Sequence, residues 1–263
     1  MHAFEQLNIP TRHVGLHWFG QASFALKDPE GSIFLFDPYF PHDRPSDAFV
    51  YPEPPLRESE LRIDHVVYTH DHSDHTHPET AARIHQAHPR ATFLGPPESV
   101  RRLIDAEIPQ DLVAEITAGE SATLNGIIVN AVWAKPPAGD PDSGIDIPDV
   151  QHIGYVVEAA GVRVYLSGDP INNFAEHEAL LKPITDLQPD IGILTTHPTE
   201  GEFPFFSGSV ETALQLALPA VVPAHYDCFT KRTFNPADWA DLFPEEGPEP
   251  LIIPYNEAIV FPG

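Results

Sequence analysis

The chain has 263 residues, 42% of them apolar, enough for one large α/β domain with a buried core. Lys and Arg number 14 against 39 Asp and Glu, a net charge of −25 that excludes a phosphate-gripping nucleic-acid surface and disfavours an anionic membrane. A single cysteine, Cys228, excludes a disulfide framework and a cysteine-based zinc site. No apolar run reaches the ~18 residues of a membrane helix, and the first 20 residues lack a signal peptide's apolar core. A cytoplasmic enzyme with a small-molecule substrate is the simplest expectation, with no nucleic-acid or membrane partner; a homo-oligomer stays open. Prolines are roughly twice as frequent as usual and predict stiff connections.

The pattern predicts strands first. Val14–Phe19, Ser23–Lys27 and Ser32–Phe36 are short, β-rich and separated by Gly or Pro/Gly turns. Residues 41–60 hold five prolines and read as a long ordered loop. His65–Thr69 is a buried strand, and Pro78–Ala87 a helix opened by Thr76 and Glu79 as a capping box. Ala91–Leu94 is a strand and Pro97–Ala106 a helix. Leu112–Ile116, Ala122–Leu124 and Ile127–Trp133 read as strands. Residues 135–149 hold four prolines and four Asp and read as a second loop. Ile153–Glu158 and Val162–Ser167 form a hairpin around Ala160-Gly161. Helical Asn173–Leu181, strand Ile191–Thr195, a helix over Ser209–Leu216, strand Ala220–Pro223 and late strands near Leu251–Ile253 and Ala258–Phe261 finish the chain. Neither loop has the Gly/Ser composition of a flexible linker, so residues 1–263 are expected to form one domain of two sheets covered by helices.

Five histidines fall between 65 and 77, and within them lies His70-x-His72-x-Asp74-His75. His65–Thr69 aims this segment out of the core. His70 and His72, two apart in extended chain, share a side. The chain then turns and brings Asp74 and His75 round before the helix. One strand end thus offers two imidazoles to one ion and a carboxylate plus imidazole to a second. A mixed N/O set does not choose among zinc, iron, nickel and manganese. The plainer reading, an acidic histidine loop on the surface, leaves four such residues at the mouth of a buried strand without a ligand.

This motif after a hydrophobic strand resembles the metallo-β-lactamase superfamily of metal hydrolases. Gly15–Phe24 is similar to that family's opening hairpin, and Phe34-Leu35-Phe36-Asp37-Pro38 to its Asp-Pro strand end. Val164–Asp169 is similar to its Gly-Asp strand end, whose Asp bridges two metals, and Val221–Asp227 to its last ligand segment. The Gly-Asp and His225-Tyr226-Asp227 segments look most like the L-ascorbate-6-phosphate lactonase branch. The resemblance implies an αββα sandwich, hydrolytic activity and one or two divalent ions, zinc or manganese. The residues agree with it: Asp169 follows an apolar strand and Gly168, which permits close backbone approach, and His225 ends another strand. A turn Asp before Pro170 is the competing reading for Asp169.

One departure stands out. The family usually has another metal-binding His before the Gly-Asp segment, where this chain reads Ala131-Val132-Trp133-Ala134-Lys135-Pro136-Pro137. His152, the only His between 89 and 168, either substitutes or is a surface or supporting residue. His197 follows a strand and reads as a substrate contact, a support for a ligand or a loop His. Asp227 reads as an orienting or substrate-contacting group. Lys231 and Arg232 read as holders of an anionic substrate group or as a solvated pair. Cys228 reads as a small buried residue.

The expected activity is hydrolysis of an ester or lactone of a small metabolite, phosphorylated or not, with Asp74 steering the water and accepting a proton. A phosphodiesterase and a non-catalytic metal-bearing ligand sensor are the alternatives. The sensor reading draws on the gap in the ligand set.

Overall fold

The computed structural model describes residues 2–141, 144–199 and 201–263, so Asp142 and Ser143 of the second proline-rich loop lie outside the described residues. Among the described residues, two seven-stranded sheets carry the fold. The first runs, edge to edge, β14 (Glu257–Phe261), β1 (Val14–Trp18), β2 (Phe24–Lys27), β3 (Ile33–Phe36), β4 (His65–Val67), β5 (Thr92–Gly95) and β6 (Val113–Glu115). The second runs β13 (Glu249–Pro250), β12 (Ala220–Ala224), β11 (Ile191–Thr195), β10 (Val162–Leu166), β9 (Ile153–Ala159), β8 (Ile127–Trp133) and β7 (Ser121–Leu124). The helices are α1 (Ala3–Gln6), α2 (Pro78–Ala87), α3 (Pro97–Asp105), α4 (Glu178–Leu187), α5 (Phe206–Gln215) and α6 (Pro236–Ala240).

β1, β3, β11 and β12 are buried at every position because both of their faces are covered. Phe34, Phe36 and Val67 of the first sheet meet Ile153, Tyr155, Val157, Val164 and Leu166 of the second in a shared core. One residue along, Ile33, Leu35 and Val66 face the other way, onto Ala81 and Ile84 of α2 and Leu103 of α3. Val156, Tyr165 and Val221 likewise face Leu180 and Ile184 of α4, Ala213 of α5 and Trp239 of α6. Each such side chain contributes roughly 1.5–3 kcal/mol when fully buried. The four layers are the αββα sandwich expected.

Strand direction places the chemistry. β3 through β6 are parallel, as are β10 through β13. The ends of β4, β10 and β12 therefore deliver His70, Asp169 and His225 to one end of the sandwich. β9 runs antiparallel to β10, so its start, with His152, arrives there too. Bonds that join the sheets at this end include Ile153 N donating to Thr69 O at 3.1 Å and Tyr155 Oη donating to Tyr68 O at 2.6 Å.

Several local expectations are corrected. The cap of α2 is His77, whose ring accepts from Thr80 N, while Thr76 instead bonds His70 O and Ser99. The helix expected over 173–181 is a 3-10 turn at Phe174–Glu176 followed by α4, which continues to Leu187 through Pro183. The strand expected near Leu251 is the two-residue β13 just before it. The Ala160-Gly161 turn has positive φ at both residues, as the two-residue hairpin requires. Among the described residues, no helix is long and apolar enough to cross a membrane.

Candidate metal centre

The turn after β4 separates the motif's residues by role. His70 is fully buried, His75 likewise, and the Asp74 side chain is 20% exposed. Asp71, in the middle of the motif, turns away to pair with Arg102, which also donates to Asp71 O at 3.2 Å. The pairing pins the turn.

Three overlapping groups result, each with candidate ligand atoms within 4.8 Å of one another: His70, His72, His152; His70, His75, Asp169; and Asp74, His75, His225. His152 stacks on His70 with ring centroids 4.2 Å apart. The start of β9 thus brings an imidazole beside His70 and His72, although residues 131–137 hold none. Asp169 Oδ2 lies 3.6 Å from His70 Nε2, 3.3 Å from His75 Nε2 and 3.5 Å from His225 Nε2. It sits at the middle of the set. Gly168 makes this position reachable: its φ is +58°, and an added Cβ would stand 2.6 Å from Ile153 O.

A second set of residues fixes the rings. Asp37 ends β3 and accepts from Thr69 N at 2.8 Å and Thr69 Oγ1 at 2.6 Å. His75 Nδ1 lies 2.8 Å from Asp37 Oδ2, and a carboxylate only accepts, so Nδ1 carries the proton and Nε2 faces the centre. Thr69 Oγ1 spends its hydrogen on Asp37, so it accepts from His70 Nδ1 at 2.9 Å and sets that tautomer too. Gln21 Nε2 donates to Asp74 Oδ2 at 2.9 Å and stands 3.2 Å from His225 Nε2. Gln21, Asp37, His225 and Asp227 all adopt positive φ, a clustering of backbone strain that marks functional sites.

The electrostatics call for a cation. Burial, with His75 beside it, holds His70 well below its ordinary pKa. Burial, with Lys135 nearby, pushes His152 down to about 3. Burial opposes charge on His75, yet Asp169 and Asp37 outweigh it and hold that ring well above its usual range. Burial would raise Asp169, but His225 and His75 hold it well below the carboxylate range. The buried atoms His70 Nε2, both His152 ring nitrogens and Asp169 Oδ1 have no hydrogen-bond partner among the described residues. Neutral imidazoles and an ionised carboxylate left unsatisfied in one place fit a divalent ion.

The other expected residues divide. His197 is buried after β11, between the strands that deliver Asp169 and His225, and its Nδ1 accepts from Thr199 N at 3.2 Å. Asp227 belongs to none of the three groups; burial raises its carboxyl, and its backbone N donates to Arg232 O at 3.3 Å. The expected cation pair splits: Lys231 is exposed, while Arg232 turns in, 3.7 Å from Asp74 and 3.4 Å from Glu202, with its guanidinium over Phe203. Arg44 is buried, bonded to Tyr51 O and set over Phe49, and so holds the first proline-rich loop. Cys228 is buried and its thiol is pushed up to about 11, as expected of a packing residue.

Sequence reasoning gave no role to Gln21, Asp37, Thr69 or Asp149. Asp37 and Gln21 lay in segments singled out by resemblance, and their strand-end placement was the available signal. Asp149 had none beyond its loop.

An αββα sandwich with histidines and carboxylates gathered at the strand ends defines the class of metallo-hydrolase folds. Residues 33–226 match the Beta-lactamase superfamily domain, and the chain belongs to that family. It is 25% identical over 224 residues to a metal-dependent hydrolase of Myxococcus xanthus, covering 81% of this chain and 70% of that one. A probable L-ascorbate-6-phosphate lactonase of Salmonella heidelberg is 28% identical over 128 residues, only 44% of this chain and 36% of that one. A metallo hydrolase of the archaeon Ignicoccus hospitalis shares the fold with a TM-score of 0.71 at 21% identity, covering 95% of this chain and 98% of that one.

Proposed function

We propose that the chain is a metal-dependent hydrolase that cleaves an ester or lactone of a small metabolite at a centre for two divalent ions. The observation that carries this is the arrangement of His70, His72 and His152 on one side of Asp169 and of Asp74, His75 and His225 on the other, with buried donor atoms unsatisfied. These two groups would each hold an ion, with Asp169 shared. A divalent ion in such a set lowers the pKa of bound water and polarises a carbonyl or phosphoryl oxygen.

The chain's own groups do the rest. Asp74 is the solvent-reached member of its group, and Gln21 Nε2 fixes one of its oxygens, so Asp74 is the proton acceptor for the attacking water. Phe203 covers His225 at 4.6 Å between ring centroids and keeps water from its far side. Arg232, over Phe203 and beside Asp74, presents a cation at the mouth for an anionic substrate group. That placement favours a phosphorylated substrate and keeps phosphodiester cleavage as a second reading. The partial match to a lactonase supports the lactone. The sensor reading drew its best support from a missing imidazole, and the position of His152 beside His70 and His72 speaks against it.

The test is hydrolysis of lactone and phosphodiester model substrates after reconstitution with zinc or manganese, then after chelation. Lactone turnover that chelation abolishes is expected. Phosphodiester turnover alone would replace the lactone reading. Absence of turnover on every substrate, with no metal in the purified protein, would overturn the proposal. Arg232→Gln is expected to raise KM for a phosphorylated lactone ~10- to 100-fold while sparing its neutral counterpart.

A further inference from the structure

We propose that Asp149, from the proline-rich loop 135–149, is an additional ligand of the ion held by His70, His72 and His152, so that metal binding ties this loop to the centre. The inference rests on the metal reading above and adds to it a residue and a loop.

The argument is geometric. Asp149 Oδ2 lies 3.1 Å and Oδ1 3.4 Å from His72 Nε2, and Oδ1 lies 3.8 Å from His152 Nε2. Donor atoms around one ion with bonds of ~2.0–2.1 Å stand roughly 3.3 Å apart when tetrahedral, and somewhat wider when the shell opens. Asp169 Oδ2 shows the same spacing to its imidazoles, 3.3 to 3.6 Å. Asp149 therefore stands to His72 and His152 much as Asp169 stands to His70, His75 and His225.

The alternative is a surface ion pair. The Asp149 side chain is 71% exposed and that of His72 30%. Exposed pairs contribute little and do not hold a loop. His152 is different: it is 1% exposed, and both its ring nitrogens lack a hydrogen-bond partner among the described residues. A buried unsatisfied imidazole, an outer imidazole and a carboxylate converge on one point, which is what an ion supplies with ligands and a plain pair does not.

The loop is built to deliver this side chain. Asp140 and Ile145 exchange backbone bonds at 2.8 Å in both directions, which pairs the loop's two arms at these residues. Asp140 is also 3.6 Å from His177 ahead of α4, an anchor on the outer layer. The returning arm, Pro148-Asp149-Val150, then lies along a cavity of about 190 Å³ bounded by Glu98, Lys135, Gln151 and His152. The arm touches the centre through Asp149, with open space behind it.

Metal-stripped protein, Asp149→Ala and Asp149→Asn are titrated with zinc against a chromophoric chelator. Hydrogen–deuterium exchange is followed in peptides spanning 144–151. In the parent, zinc is expected to slow exchange across this segment. In Asp149→Ala, affinity for one ion is expected to fall by at least ~10-fold, the other to stay as it was, and the zinc effect on the segment to vanish. Asp149→Asn is expected to lie between them. Parent-like zinc affinity in Asp149→Ala, or a loop that zinc protects equally without the carboxylate, would overturn the inference and leave the metal reading standing. A parent that binds no zinc would overturn both.

Discussion

His72 and His75 are three residues apart in one turn, yet their surroundings are opposite. The His75 side chain has no exposed surface, and its ring is fixed at Nδ1 by Asp37, which is itself fixed by Thr69. The His72 side chain is 30% exposed, and the group facing it is a carboxylate on a surface loop. The inner half of the centre, with Asp74, His75 and His225, is assembled by the folded core, down to backbone strain at Gln21, Asp37 and His225. The outer half, with His70, His72 and His152, is open on one side. The difference teaches that one motif can supply a preorganised imidazole and an adaptable one, because the core holds His75 while solvent reaches His72.

The comparison breaks most completely at the residue both halves share. Asp169→Asn is expected to keep the fold but reduce metal stoichiometry and cut activity by more than the ~10–100-fold typical of a residue that only supports a ligand. Equal stoichiometry in variant and parent, read by elemental analysis, would count against a shared carboxylate.

Asymmetry between the halves is sharpened next. Asp37→Ala removes the acceptor for Thr69 N and His75 Nδ1, both buried. It is expected to cost ~1–3 kcal/mol of stability and ~10–100-fold in metal affinity. His72→Ala, on the open side, is expected to lower metal affinity with a stability change within ~1 kcal/mol in the metal-free protein. Denaturant melts of both variants without metal decide it; equal destabilisation would erase the distinction.

A residue outside both halves serves as a control. Burial pushes His17 down to about 4, despite the bond between its Nε2 and Asn256. The folded ring stays neutral while the unfolded one protonates near 6.5, so stability is full above that pH and falls as pH drops from about 6.5 to 4. The slope from this group approaches ~1.4 kcal/mol per pH unit. His17→Gln should flatten that stretch of the stability–pH curve, with or without metal. A curve of unchanged slope would show that the ring is not buried neutral.

The sandwich was legible because its central strands are largely apolar and bounded by Gly and Pro. The motif at 70–75 was legible because its spacing is local. Asp169 and His225 were legible as strand ends with the support of resemblance. His152 was visible only as the sole candidate in its interval, since what makes it a neighbour of His70 is the antiparallel pairing of β9 with β10. Asp37 and Gln21 escaped assignment because they act through hydrogen bonds to residues 38 and 53 positions away. The capping box at Thr76 failed for a related reason: the tertiary partners His70 O and Ser99 claim that hydroxyl. The split of Lys231 from Arg232 follows from a 3-10 turn at Thr230–Arg232 that no periodicity announces.

The central claim is that the strand ends build two adjoining ion sites with Asp169 between them. Anomalous diffraction from crystals grown with manganese or zinc tests it most directly. The account predicts two peaks, one among His70, His72 and His152 and one among Asp74, His75 and His225, both within bonding distance of Asp169. A single peak, or peaks that leave His152 outside bonding distance, would contradict it.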